Sequence, residues 1–132
     1  MPEFSENEDM YLKRIFELHS ESPGDIVKTT QLSEKMGISP ASTTEMVQRL
    51  AEREMITHFP FRGFRLTPDG FQLAARIKRR EILLQILLSD IVGFQGDVED
   101  VACKIEHSVG KELETALDQL LGYPQKAPDG SS

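Results

Sequence analysis

The sequence predicts a mainly helical protein with one short β-hairpin, and three features indicate this fold class. Apolar residues recur at helical spacing along most of the 132-residue chain. Ser39-Pro40 and Thr67-Pro68 each join a hydroxyl cap to a proline suited to the first helical turn. Two short β-like runs flank a glycine-containing turn at 60–63. This order of elements is typical of a winged helix-turn-helix domain followed by an all-helical domain.

Six helices are expected, and several of their ends carry recognisable signals. A polar loop at 20–25 ends the first helix, and Thr29 or Thr30 is expected to cap the second. Gly37 ends that second helix, because glycine readily adopts the left-handed conformation needed there. A break at 90–97, which contains two glycines, follows the long fourth helix. The expected helices cover residues 6–19, 29–36, 40–53, 68–89, 98–108 and 111–121.

The composition limits both the number of domains and the cellular setting. A length of 132 residues suits one compact unit or two small ones that share helices. The single cysteine cannot form an internal disulfide and fits a reducing cytoplasm. No apolar run approaches the roughly 20 residues of a membrane helix, and the acidic N-terminus lacks a signal peptide. We therefore expect a cytoplasmic protein with no membrane partner.

The charge is divided unevenly along the chain. The net charge is -7, yet residues 26–80 contain ten Lys and Arg against five Asp and Glu, a local charge of +5. The remainder therefore carries -12. This division favours a phosphate-facing module joined to a cation-facing module.

The basic segment contains the elements that read DNA in winged helix-turn-helix proteins. The third helix is the expected recognition helix, because its N-terminal side offers hydroxyls and its N-terminus favours an anion. Arginines on the hairpin wing are expected to contact the DNA backbone or minor groove. We therefore assign residues 1–70 to a DNA-binding domain. The candidate DNA-contacting residues are Thr29, Ser39, Pro40, Ala41, Ser42, Thr43, Glu45, Arg49, Arg62 and Arg65.

The acidic half contains a candidate metal-binding helix. Cys103, Glu106 and His107 lie three and four residues apart, so a helix turns them toward one side. A thiol, a carboxylate and an imidazole suit a divalent transition metal rather than calcium or magnesium. The alternative is that the cysteine is a small core residue and the Glu-His pair is a solvated face.

The chain resembles the family of diphtheria toxin repressors and manganese transport regulators. The resemblance rests on four stretches in family order, 8–18, 37–47, 62–70 and 102–108. It implies a metal-dependent transcriptional repressor that binds double-stranded operator DNA as a homodimer when a metal bridges two domains. It also implies that Met10 joins Cys103, Glu106 and His107 as a ligand. Met and Cys ligands resemble the iron-responsive branch, so Fe(II) is expected first and Mn(II) next.

The sequence departs from the family pattern at a second, ancillary metal site. Family members usually carry a histidine after a basic residue in the long helix, whereas this chain has none at 78–81. Glu81 could substitute as a ligand, and Glu99 lies near the position of another family ligand. Lys13 stands where the manganese branch has an acid. A second metal site is therefore in doubt.

Two other function classes compete with this interpretation. One is a metal-independent winged-helix regulator in which Cys103 senses redox state or only packs. The other is a hydrolytic metalloenzyme, but the chain has no His-Glu-x-x-His run, phosphate loop or nucleophile motif. We therefore expect no enzyme activity, no catalytic residues and no small-molecule substrate. Residues 71–123 are assigned to a helical dimerisation and metal-binding domain, and 124–132 to a linker-like tail.

Overall fold

A computed structural model describes residues 4–124, which form six α-helices and one two-stranded sheet. The mainly helical fold class expected from the sequence is confirmed. The chain divides into two compact units, with the boundary between Ala75 and Arg76 inside the fourth helix. The elements are α1 (Glu6–Glu21), α2 (Thr29–Met36), α3 (Pro40–Glu52), β1 (Ile56–Phe59), β2 (Gly63–Leu66), α4 (Pro68–Ile86) with a π-helical extension (Leu87–Val92), α5 (Val98–Glu106) and α6 (Lys111–Leu120).

Within 4–124, every helix is too short or too polar to cross a membrane. The predicted linker-like tail lies, apart from Pro124, outside the described residues.

The first unit is built around the contacts among α1, α2 and α3. Its core is mainly aliphatic, with Tyr11 and Phe64 as its buried aromatic residues, as the lack of tryptophan and the low aromatic content suggest. Burial of these side chains is the main favourable term that holds the three helices together. Its fully buried side chains include Leu12, Ile15, Leu32, Leu50 and Phe64.

The helix caps agree with the prediction at Ser39 and Thr67, add an unpredicted one at Ser5, and differ at the start of α2. Ser5 and Glu8 form a capping box on α1, Ser42 N–H donates to the Ser39 hydroxyl at 3.2 Å, and Gly70 N–H donates to the Thr67 hydroxyl at 3.0 Å. The prediction that Thr29 or Thr30 caps α2 is wrong. The cap is the preceding lysine, Lys28, whose N–H donates to the Gln31 side chain at 2.8 Å.

The wing contains a third extended position in addition to its two strands. β1 and β2 pair antiparallel, with Ile56 opposite Leu66 and Phe59 opposite Gly63. Val27 then exchanges two backbone hydrogen bonds of 2.8 Å with Phe64. Gly63 has a φ of +131°, and a Cβ there would lie 2.3 Å from the Val27 carbonyl oxygen. Glycine is therefore required for the wing to pack against the segment between α1 and α2.

The second unit packs the C-terminal part of α4 with α5 and α6. A core cluster joins Leu83 and Leu84 to Ala102, Val109 and Leu117. Two ion pairs also link α4 to α6, from Arg79 to Asp118 at 2.5 Å and from Arg80 to Glu114 at 2.6 Å. Both pairs are partly shielded from solvent, so they reinforce the apolar contact between the two helices.

The expected end of the fourth helix at Ser89 is wrong. The chain instead continues through the π-helical segment Leu87–Val92, which stops at Gly93. Gly93 is left-handed with a φ of +70°, and its N–H donates to the Leu88 carbonyl. The glycine that marked the break is thus the C-terminal cap, because a left-handed residue satisfies carbonyls left open at a helix end.

Candidate functional site

The N-terminal half of α3 presents a polar surface to solvent. Ser39, Ala41, Ser42, Glu45 and Arg49 are exposed, as is Pro40 at the first helical position. The Ser39 hydroxyl donates to the Ser42 hydroxyl at 3.0 Å. Hydroxyls and open N–H groups at a helix N-terminus are suited to phosphate oxygens and base edges.

Thr43 does not belong to this exposed surface, so its predicted exposure is wrong. Its side chain is fully buried, and its hydroxyl donates to the Ser39 carbonyl at 3.0 Å. Burial raises the pKa of Tyr11 on α1, and a hydrogen bond with Thr43 offsets only part of that rise. Thr43 thus helps to hold α3 against α1. Its spacing from Val47 and Leu50, four and seven residues on, is the signal that identifies this inward side.

The wing adds cations at the edge of a surface recess of about 580 Å³. Arg62 and Arg65 are exposed, and Arg65 donates to the Gly24 carbonyl at 2.9 Å. Thr29 is half-buried at the start of α2, next to the exposed cap residue Lys28. Lys28 was not among the DNA contacts predicted from the sequence, although its position before a predicted helix start could have indicated it. The charged and amide side chains of the recess are those of Lys28, Gln31, Arg62, Arg65, Glu21 and Asp25.

A buried histidine connects the wing to α1. The Nε2 atom of His19 accepts a hydrogen bond from Leu66 N–H at 3.3 Å. Burial lowers the pKa of His19, and the neighbouring Arg65 guanidinium lowers it further. The imidazole is therefore held in its neutral form, which is the form that can accept this hydrogen bond.

An ion pair fixes the first turn of α1 to the end of α3. The Arg53 guanidinium donates to both carboxylate oxygens of Glu8, at 3.1 and 3.0 Å, and lies 3.6 Å from the centroid of the Phe4 ring. Burial acts to raise the pKa of Glu8, but the Ser5 N–H and the Arg53 guanidinium outweigh it and lower the pKa. Glu8 is thus held as a carboxylate two residues before Met10.

The candidate metal ligands of the second unit lie at the C-terminal end of α5. Asp97 caps this helix by accepting from Asp100 N–H at 3.0 Å. Cys103 and Glu106 are 8% and 2% exposed and share the buried side of the helix. The helix ends at Glu106, so His107 is its half-buried C-cap residue rather than part of the helix. The donors are therefore a thiol, a carboxylate and an imidazole within about one turn, a set suited to a transition metal.

The remaining candidate ligands lie on α1, on α4 and in the first turn of α5. Met10 is half-buried on α1 and belongs to the first unit. Glu81 is buried on α4, with the Lys78 Nζ atom 3.7 Å from its carboxylate, whereas Glu99 is exposed in the first turn of α5. Among residues 4–124, no three His, Cys, Asp or Glu side chains are gathered as a preformed metal site. The donor types at the end of α5 fit a metal, although the described side chains do not form a preformed site for one.

Two family models together cover almost the whole chain. The model described as "Iron dependent repressor, N-terminal DNA binding domain" matches residues 3–64. The model described as "Iron dependent repressor, metal binding and dimerisation domain" matches residues 67–132. The chain belongs to the iron-dependent repressor family. This confirms the resemblance inferred from the four sequence stretches, and the family is one of transcriptional repressors rather than enzymes.

Relatives of this family differ in length and in the metal named for them. The diphtheria toxin repressor of Corynebacterium glutamicum is 32% identical over 133 residues, which cover 99% of this chain and 57% of that protein. An uncharacterised helix-turn-helix transcriptional regulator of Methanocaldococcus jannaschii is 29% identical over 95% of this chain and 98% of its own length. A manganese-dependent transcriptional repressor in complex with manganese is similar in structure, with a TM-score of 0.80, 33% identity, and coverage of 92% of this chain and 55% of that one. The chain thus spans a little over half the length of the diphtheria toxin repressor, and the family includes iron- and manganese-dependent members.

Proposed function

We propose that this protein is a metal-activated transcriptional repressor that binds double-stranded operator DNA as a homodimer in the cytoplasm. The observation that supports this most strongly is that each unit carries a different set of candidate functional side chains. Exposed hydroxyls and arginines stand on the winged helix-turn-helix unit, within the basic stretch 26–80. A thiol and a carboxylate stand on α5 of the other unit, and an imidazole follows directly after that helix.

The DNA-binding role assigns different tasks to α3 and the wing. The exposed hydroxyls of Ser39 and Ser42 contact phosphates or base edges at the N-terminus of α3, and Arg49 extends this surface. Arg62 and Arg65 on the wing contact the DNA backbone. In a homodimer, the two copies of α3 read half-sites about one helical turn, or a multiple of it, apart.

The metal-binding role assigns Cys103, Glu106 and His107 as ligands, with Met10 added from the family resemblance. Glu81 and Glu99 are kept only as candidates for an ancillary site. A metal held by these donors would supply positive charge at the site. It favours DNA binding only to the extent that it binds the DNA-competent state more tightly.

Fe(II) is the proposed metal, and Mn(II) is the alternative within the same family. Thiolate and thioether donors favour Fe(II) over the harder Mn(II). The thiolate must form by deprotonation of a buried Cys103, so metal binding should release a proton and weaken at low pH.

A metal-independent regulator with Cys103 as a redox sensor is less well supported. Reactive sensor cysteines are solvent-accessible, whereas Cys103 is only 8% exposed. Its burial favours a ligand or a packing role over a sensor role.

The test begins with duplexes selected from a random pool by the full chain under anaerobic conditions with Fe(II) or Mn(II). Binding to the selected duplex is then measured with each metal, without metal, and after addition of a chelator. We expect binding that requires metal and that a chelator reverses, with a dimer in sedimentation equilibrium. Equal binding in the presence of chelator would show that the protein is a metal-independent regulator.

A further inference from the structure

Phe61 at the tip of the wing is the most exposed large hydrophobic residue in the described part of the chain. It is 108% exposed, whereas the next most exposed large apolar side chain, Val92, is 62% exposed. It lies in the turn between β1 and β2, where it packs against none of the core. A fully exposed phenyl ring contributes nothing to folding through burial.

The backbone conformation at Phe61 also disfavours a phenylalanine at this position in the free protein. Its φ is +65°, in the left-handed region that Gly, Asn and Asp occupy more readily than a bulky residue. The turn around it is well defined, because Arg62 N–H donates to the Phe59 carbonyl at 3.0 Å. The end of the strands next to this turn is fixed by the close approach of Gly63 to Val27. Folding alone would favour a small polar residue at this tip, so the phenyl ring is better explained by a bound partner.

The charged residues around the wing indicate what that partner is. Arg62 directly follows Phe61, and Arg65 stands on β2 with its guanidinium 5.7 Å from the Phe59 ring. Lys28 lines the same recess as these two arginines, together with the acidic side chains of Glu21 and Asp25. An apolar tip with arginines beside it suits a narrow groove bordered by phosphates. The minor groove of duplex DNA is such a groove, and apolar side chains enter it in proteins that wedge between base steps.

We propose that Phe61 enters the DNA minor groove beside the major-groove site read by α3, while Arg62 and Arg65 contact the phosphates on either side. This inference rests on the proposed DNA-binding function and adds a contact that depends on groove shape. The insertion should favour flexible pyrimidine–purine steps at the flank of the operator, because those steps unstack most easily.

The variant that tests this contact is Phe61→Asn, since Asn tolerates the left-handed φ and should leave the hairpin intact. The full metal-loaded chain is tested on duplexes selected by the wild type, at several salt concentrations. We expect Phe61→Asn to weaken binding about tenfold, by the same factor at each salt concentration, because a phenyl contact displaces no counterions. The matched variant Arg62→Gln should instead reduce the slope of log affinity against log salt by about 1.

A second measurement places the contact on the DNA. A 2-aminopurine base at the flanking step should brighten when wild type binds and should not brighten with Phe61→Asn. Equal affinity of Phe61→Asn and wild type would overturn the inference while leaving the proposed function intact. The inference would also be overturned if the loss of DNA affinity in Phe61→Asn varied with salt as it does in Arg62→Gln. A change in dimerisation of Phe61→Asn without DNA would have the same consequence. Wild type that binds no duplex with any metal would overturn the proposed function together with this inference.

Discussion

The two units hold their candidate functional side chains in opposite ways. In the first unit, the proposed DNA contacts on α3 and the wing project into solvent from a closed apolar core. In the second unit, Cys103 and Glu106 are buried on α5, next to Ala102 of the core cluster. Changes at the DNA-binding surface should therefore alter binding without altering folding. Changes at the metal ligands act on both, so folding has to be measured beside metal and DNA binding in each such variant.

The largest effect is expected for Glu106→Gln, which keeps the size of this buried side chain but removes its charge. Substitutions that only support metal ligands cost roughly 10–100-fold in affinity, so loss of a ligand charge should cost at least about 100-fold. Calorimetric titration with Mn(II) or Co(II) measures the change. The control is Glu112→Gln, an exposed carboxylate on α6 with no proposed ligand role, which should leave the metal affinity unchanged. An unaltered metal affinity in Glu106→Gln would remove this residue from the ligand set.

The next effect concerns the stability of the first unit. Arg53→Ala leaves the buried Glu8 carboxylate without its guanidinium partner and should lower the free energy of unfolding by about 2 kcal/mol. Urea unfolding of the two proteins gives the difference. Lys35→Ala removes two looser ion pairs of 3.7 Å and should cost less than about 0.5 kcal/mol. Equal losses of unfolding free energy in Arg53→Ala and Lys35→Ala would contradict the distinction between the Arg53–Glu8 pair and the looser pairs of Lys35.

A smaller effect is expected for Arg49→Gln on the exposed surface of α3. Loss of one phosphate contact should weaken DNA binding about fivefold at physiological salt and reduce the salt slope by about 1. The melting temperature should not change. Lys104→Gln removes an exposed cation from the second unit and serves as the control, with DNA affinity expected to stay constant. A lower melting temperature in Arg49→Gln would show that this arginine supports the fold instead.

The smallest effect is a dependence of stability on pH through His19. Its pKa is lowered in the folded state, so the unfolded chain takes up a proton first as pH falls below the ordinary value of 6.5. The contribution of His19 to the free energy of unfolding should therefore be fully present above about pH 7. It should decline as pH falls from 6.5 toward the pKa of His19 in the folded state. Glu8, whose pKa is also lowered, acts in a separate window below its ordinary value of 4.5.

Urea unfolding at pH 7.5, 6.5 and 5.5 distinguishes His19 from other groups. His19→Gln keeps an acceptor for Leu66 N–H and cannot be protonated in this range. Its stability should vary less between pH 7.5 and 5.5 than that of the wild type. Identical pH profiles would mean that His19 does not carry the dependence.

The sequence was most informative where structure depends on neighbouring residues. The caps at Ser39 and Thr67, the stop at Gly37 and the hairpin turn are all formed by residues within a few positions. Lys28 as a cap was missed, because its backbone N–H bonds to a glutamine side chain and its own side chain gives no capping signal. The π-helical extension after α4 was missed, because the apolar pattern does not distinguish it from an α-helix.

The candidate sites could be predicted only in part, because residue spacing gives the side of a helix but not where the helix ends. The spacing of Cys103 and Glu106 along a helix puts them on one side, and burial of both agrees with that expectation. The termination of the helix before His107 depends on its end geometry, which the spacing does not describe. Thr43 was placed outward because hydroxyls suit DNA, whereas its distance from Val47 and Leu50 places it in the core.

The most direct test of the account compares DNA binding by the wild type and Cys103→Ala across Fe(II), Mn(II), Co(II) and Zn(II). Alanine is small and apolar, so it removes the thiol while leaving a helix-favouring residue in α5. The account predicts that wild type binds its selected duplex only with metal. It also predicts that Cys103→Ala loses most of this response, with the greatest loss for Fe(II). Full metal-dependent binding by Cys103→Ala would contradict the assignment of Cys103 as a ligand, and metal-independent binding by the wild type would contradict metal activation itself.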